Sequence, residues 1–385
     1  MGGLDFLRTS AILLVISGHY YLRYVEATGT ALSVGKLPLF SFGWTGVDLF
    51  FVLSGYLIGR QLWRELADRN SIDVKRFLLR RGLRIWPFYY AFLVFTFSLS
   101  SGSAKAFLPD LLFLSNYMQH QVSGGWSLST EEHFYIFVPL LLLALRRFID
   151  LKRQYLVLLL LLVLLPLFRF LQLRGSGGIA GFDAVYFPFH THSDGLVFGL
   201  LIAWCSVVTP SLVSGRAPLA NILGVVPLLL AGSLLYFANK TLFAFSALAL
   251  FYGAALLYML RDRSVLQRFC RLRLFHLLSR LSYGMYLNHF PILLFGMPVV
   301  MPFVAKLGLG TNGFWLGGLV IVALSLLVSL TTFAFIESPF LRLRDRWLGQ
   351  SVGAMPEGKF SMAATSSRGS RRGSEERGLT ETAPP

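Results

Sequence analysis

Two stretches of this 385-residue chain, 155–168 and 317–336, run without a single charged side chain. Apolar runs of roughly 20 residues match a bilayer core about 30 Å thick. No water reaches the backbone there, so a spanning segment is either a helix or a strand of a closed barrel. Barrel strands alternate apolar and polar over about 10 residues, and these runs do not alternate. Similar stretches lie near 4–22, 44–60, 85–101, 133–147, 154–172, 188–206, 221–238, 241–260, 283–303 and 314–337. The expected fold is all-α, a polytopic transmembrane helical bundle of about ten helices. Residues 107–117 are apolar but short, and are expected to be interfacial or re-entrant.

Only 14% of the residues are charged, against about a quarter in soluble domains. The net charge of +16 could signal nucleic-acid binding, but its distribution indicates membrane topology. With a cytoplasmic N-terminus, 27 of the 35 lysines and arginines fall in inner loops and the C-terminal tail. The opposite loops hold Arg23, Lys36, Lys105, Arg174, Lys240 and Lys306. This bias predicts a multi-pass plasma (inner) membrane protein with both termini cytoplasmic, in contact with membrane lipids and not with nucleic acid. No small-residue cleavage site follows the first apolar stretch. Cys205 and Cys270 are too far apart in setting to indicate a disulfide framework. Residues 1–345 are expected to form the membrane domain. Residues 346–385, rich in Ser, Gly, Arg and Glu, are expected to be a disordered cytoplasmic tail.

Ionisable residues within spans are costly, which makes each a functional candidate. Arg8 and His19 are eleven residues apart, so on a helix they share a face about 16 Å apart along the axis. His19, Asp48, Glu131, Glu132, His190, His192 and Asp194 are expected near outer span ends, and Arg8, Arg80, Arg81 and Arg84 near inner ends. Such polarity suits an anionic, phosphate-bearing molecule inside and proton transfer farther out. Structural readings stand beside these: a snorkelling Arg8, an interfacial His19, topological charge at Arg80, Arg81 and Arg84, and a helix-start charge at Asp48. Ser129 and Glu132 have capping-box spacing, so one glutamate can be purely structural. No HExxH or CxxC spacing appears, and no metal site is expected.

Several motifs in order resemble the acyltransferase family 3 membrane proteins. They are Leu4-Asp5-Phe6-Leu7-Arg8 through His19, Gly46-Val47-Asp48-Leu49-Phe50-Phe51, and Arg81-Gly82-Leu83-Arg84. Further along come Trp126-Ser127-Leu128-Ser129-Thr130-Glu131-Glu132, then Ser282-Tyr283-Gly284-Met285-Tyr286-Leu287-Asn288-His289, and finally Glu337-Ser338-Pro339-Phe340. The chain departs from the family pattern at Phe6, usually glycine, at His133, often glutamine, and at His192, often arginine. It is also expected to lack the extracytoplasmic esterase-like domain of some members.

The resemblance implies transfer of an acyl group, most often acetyl, from acyl-CoA to a hydroxyl of a cell-surface glycan or glycolipid. Arg81 and Arg84 would hold the coenzyme phosphates, with Arg8 deeper along the donor. His19 would act as general base or carry the acyl group, and Glu131 or Glu132, with Asp48, would orient the imidazole or the sugar hydroxyls. The acyl-CoA is a substrate, and no bound cofactor is expected. A transporter or flippase of an envelope saccharide is the alternative, and a non-catalytic scaffold a third.

Overall fold

The computed structural model describes residues 2–175, 182–213, 218–261, 265–309 and 311–349. Among them are ten helices of fifteen residues or more, one over each expected span. They are α1 Gly2–Thr28, α2 Gly46–Arg69, α3 Val74–Leu99, α4 Gly125–Phe148, α5 Tyr155–Gly175, α6 Asp194–Val208, α7 Pro218–Ala238, α8 Lys240–Arg261, α9 Arg273–Pro291 and α10 Asn312–Thr332. No strand occurs among the described residues.

Six segments are long and apolar enough to cross a membrane: Val74–Leu99, Gly125–Phe148, Leu151–Gly175, Lys240–Arg261, Arg273–Lys306 and Asn312–Leu348. Asp194–Val208 and Val225–Ala238 are apolar but shorter. By that standard the count of crossings rests on six. The long helices α1 and α2 fall outside it, and they carry Arg8, His19 and Asp48.

Two helices continue through a widened turn. α9 passes through a π turn at Ile292–Gly296 into a helix over Met297–Lys306, and α10 through Phe333–Glu337 into Ser338–Leu348. Pro291 has no N–H to give the preceding turn, and π turns commonly mark functional positions. Of the expected tail, residues 350–385 lie outside the described residues, and the last helix runs to Leu348.

Residues 107–117 form no spanning helix. A 3₁₀ turn at Ala104–Phe107 and one helical turn at Leu108–Leu111 lead into a loop built around the buried Asp110. Its carboxylate accepts from Ser115 Oγ at 2.8 Å and from the Gln121 backbone N–H at 2.8 Å.

The closest helix pair is α2 with α6. Gly55 and Gly59 on α2 lie against Leu196 and Leu200 of α6, and Gly195 and Gly199 on α6 lie against Asp48 and Val52 of α2, each pair at the four-residue spacing that lets helix backbones approach. A methyl at Gly55 would overlap the Leu196 carbonyl oxygen, and one at Gly199 the Val52 carbonyl oxygen. Elsewhere α1 packs on α9, and α9 on α10. One shared space lies among α1, α2, α3, α4 and α9.

Candidate active site

Five helices line a cavity of about 130 Å³, α2 through Phe50, Phe51, Ser54 and Leu57. α1 contributes Arg8, α3 Arg81 and Arg84, α4 Ser127, Glu131 and Tyr135, and α9 Ser282, Tyr283 and Tyr286. Arg81 and Arg84 are three residues apart and so project from one face of α3. Arg80, about 100° around the helix from Arg81, points elsewhere. Its guanidinium donates to the Leu348 carbonyl at 2.8 Å and the Gly349 carbonyl at 2.7 Å, and Arg76 also donates to Leu348. The basic run thus divides its work: Arg76 and Arg80 cap the last helix, leaving Arg81 and Arg84 on the cavity wall.

Arg81 donates to Gln61 Oε1 at 3.0 Å and lies over the Tyr135 ring, 6.0 Å from its centroid. Glu131 shares the cavity but is already occupied. It accepts from Ser54 Oγ at 2.5 Å and Tyr135 OH at 2.6 Å. None of Arg8, Arg81 and Arg84 takes part in a salt bridge among the described residues. The wall therefore carries more positive than negative charge and can hold an anion.

The placement of Glu131 corrects an expectation. It lies beside the arginines and not with His19, because α4 begins at Gly125, two turns before the apolar stretch starting at 133. Glu131 therefore sits about 9 Å into the helix. The capping-box reading of Ser129 and Glu132 fails for the same reason. Ser129 is inside the helix, where its hydroxyl donates back to the Gly125 carbonyl at 3.0 Å. Glu132 is buried outside the cavity lining, and its Oε1 has no hydrogen-bond partner among the described residues.

His19 is not on the cavity wall. It lies about 16 Å farther along α1 from Arg8, both being on one unbroken helix. Its Nδ1 is 3.0 Å from the Val15 carbonyl and 3.2 Å from Nε2 of His289 on α9. His289 is 2% exposed, and its Nδ1 meets the Tyr286 carbonyl at 2.6 Å. Tyr286 also lines the cavity and bonds Ser127 Oγ at 2.6 Å. It thus joins the arginine cavity to the histidine pair. An imidazole with one nitrogen engaged and the other open can exchange a proton with a bound hydroxyl.

The expected partnership of Asp48 with His19 is not found. Asp48 is buried in the first turn of α2, and its Oδ1 is 2.9 Å from Nε2 of His192. His192 Nδ1 reaches the Tyr186 carbonyl at 2.6 Å, and Phe245 stacks on the ring at 3.7 Å. The close α2–α6 packing carries Asp48 to the loop before α6, away from α1. His190, two residues away, is half-buried and stacks on Tyr117. Partial burial there pushes its imidazole below the ordinary range.

Beside this pair lies a second buried cluster, absent from the sequence-based expectations. Arg169 on α5 is 0% exposed and donates to both Asp194 oxygens, at 2.7 and 3.2 Å. It also donates to the carbonyls of Leu242 and Thr191 and to Ser246 Oγ. The available signal was an arginine inside an apolar run. His289 was visible within a motif but had no assigned role. No group of three His, Cys, Asp or Glu side chains able to hold a metal occurs among the described residues.

The acyltransferase-domain family model Acyl_transf_3 matches residues 1–334. The peptidoglycan O-acetyltransferase OatA of Listeria monocytogenes is 26% identical over 372 residues, covering 87% of this chain and 55% of OatA. YrhL of Bacillus subtilis, provisionally named a peptidoglycan O-acetyltransferase, is 28% identical over 371 residues, 88% of this chain and 54% of YrhL. The chain spans about half the length of these relatives. No solved structure matches it.

Proposed function

We propose that this chain, which belongs to the acyltransferase family of that model, is a membrane O-acetyltransferase drawing on acetyl-CoA. The acceptor is a hydroxyl of a cell-wall or other cell-surface glycan, the class named for OatA. One observation carries the donor assignment: Arg8, Arg81 and Arg84 converge on one cavity whose single carboxylate, Glu131, is already held by two hydroxyls. A guanidinium fork matches phosphate oxygens in shape and charge. A cavity of about 130 Å³ has room for about four waters at roughly 30 Å³ each. That suits the pyrophosphate end of the thin thioester arm, with the adenosine outside it on the cytoplasmic side.

In this reading the arm extends along α1 from Arg8 toward His19. His19 takes the proton of the acceptor hydroxyl as its oxygen bonds to the thioester carbonyl carbon. The carbon–sulfur bond then breaks, and the departing thiolate takes the proton from the imidazolium. Transfer through an acyl-imidazole on His19 conserves the same atoms in two steps. The test uses inside-out vesicles given acetyl-CoA labelled in the acetyl group, comparing wild type with His19→Ala. Label should enter a glycan fraction only when His19 is present. Equal labelling by the His19→Ala protein rejects the assignment, and glycan movement across the bilayer without acetyl-CoA consumption favours a transporter.

A further inference from the structure

The closing motif of α9 contains a histidine that the proposed reaction leaves without a task. We propose that His289 is a positioning residue that, together with the Val15 carbonyl, holds the His19 ring with Nδ1 engaged and Nε2 unprotonated and open, a proposal resting on His19 as the proton-handling group. The hydrogen-bond chain admits a definite proton assignment. The Tyr286 carbonyl can only accept, so His289 Nδ1, 2.6 Å away, carries a proton. In the neutral ring His289 Nε2 is then a bare acceptor. It lies 3.2 Å from His19 Nδ1, and a bond between them requires the proton on His19. The Val15 carbonyl, 3.0 Å from the same Nδ1, makes the same demand. Two acceptors on different helices thus converge on one nitrogen, leaving His19 Nε2 open toward an acceptor hydroxyl.

A carbonyl from its own helix can fix the tautomer of His19 but not hold the ring against a partner. His289 does the second, with the two ring centroids 5.1 Å apart and tilted by 40°. Its own ring is fixed by the Tyr286 carbonyl, beside the π turn that follows Pro291. A carboxylate in its place would put a permanent charge among apolar helices and hold His19 protonated before any substrate arrived. A neutral imidazole orients His19 and still accepts a stronger hydrogen bond once His19 becomes an imidazolium. The groups around the pair fit this division. Arg23, on α1, lies over the Phe290 ring at 4.8 Å and is paired with Glu26 at 2.8 Å. The Tyr286 ring is 5.8 Å from that of His289.

The test compares His289→Phe and His289→Gln with wild type and His19→Ala. The vesicle assay gives kcat and the KM for acetyl-CoA. Separately, without substrate, mass spectrometry follows carbethoxylation of His19 by diethyl pyrocarbonate, which needs an unprotonated ring nitrogen. For His289→Phe, kcat should fall about 10- to 100-fold, as when a working histidine loses its outer partner. Its KM should change less than about twofold, since the arginine cavity is untouched. His289→Gln, whose amide oxygen can accept from Nδ1–H, should recover part of the loss, and carbethoxylation of His19 should slow in His289→Phe only. Wild-type kcat in His289→Phe overturns the proposal, as does an equal kcat loss in both variants with unchanged carbethoxylation. Full activity of His19→Ala instead removes the parent reading, while the carbethoxylation rates still decide whether His289 holds the His19 ring.

Discussion

Replacing Arg169 with methionine keeps an unbranched apolar stem and removes the guanidinium and its charge. In the native structure Arg169 and Asp194 are both 0% exposed and meet through two hydrogen bonds. Arg169→Met leaves the Asp194 carboxylate with Ser246 Oγ and no countercharge. Removing one partner of a buried pair costs about 3–5 kcal/mol, mostly because the remaining charge is uncompensated. At roughly 2 °C per kcal/mol for a large domain, apparent unfolding in detergent should move down by about 6–10 °C. Arg169→Met/Asp194→Leu removes both charges and should recover most of that loss, since neutral replacement of a whole buried pair is commonly close to neutral. The assay is thermal unfolding of the purified single and double variants, read by intrinsic fluorescence. A single variant as stable as wild type would refute the reasoning, and so would a double variant no better than the single. The Thr191 carbonyl held by Arg169 anchors the loop that carries His192, so Arg169→Met should also loosen the Asp48–His192 contact.

Three further outcomes follow from the same geometry. Gly199→Ala should destabilise the protein by about 1–3 kcal/mol through overpacking against the Val52 carbonyl; unchanged unfolding in detergent would show that α2 and α6 do not approach so closely. Asp48→Asn should lower thermal stability yet keep kcat within about threefold of wild type, because Asp48 holds His192 and not His19. A large kcat loss at unchanged stability would place Asp48 in the reaction. Glu131→Gln should tighten CoA binding severalfold at low salt by removing the negative charge beside Arg8, Arg81 and Arg84, whereas Glu132→Gln should not; equal effects in calorimetry would contradict the split between these neighbours.

The helices were legible in the sequence mainly through hydropathy, and every expected span overlaps a long helix, although α1 and α2 are less apolar than the rest. Helix starts were less so. Ser129 and Glu132 imitate a capping box, and only the true start at Gly125 shows Ser129 to be interior. The split between Arg80 and its neighbours followed from helical periodicity once Leu348 was known to need donors. Pairings across the fold were hidden for a plainer reason. His19 and His289 are 270 residues apart, and Asp48 and His192 144 apart; no local spacing encodes such contacts. The glycine spacings at Gly55, Gly59, Gly195 and Gly199 did encode the α2–α6 approach, and with it the position of Asp48.

The central claim is that the arginine cavity holds the phosphates of the acyl donor, and CoA binding to the purified protein tests it most directly. Isothermal titration would compare wild type with Arg81→Gln/Arg84→Gln at fixed salt. Each lost hydrogen bond to a charged group is worth about 1.5–3 kcal/mol, and about 1.4 kcal/mol is tenfold in affinity. The paired variant should therefore bind CoA at least about 100-fold more weakly while unfolding at the same temperature as wild type. Wild-type affinity in that folded variant would contradict the account.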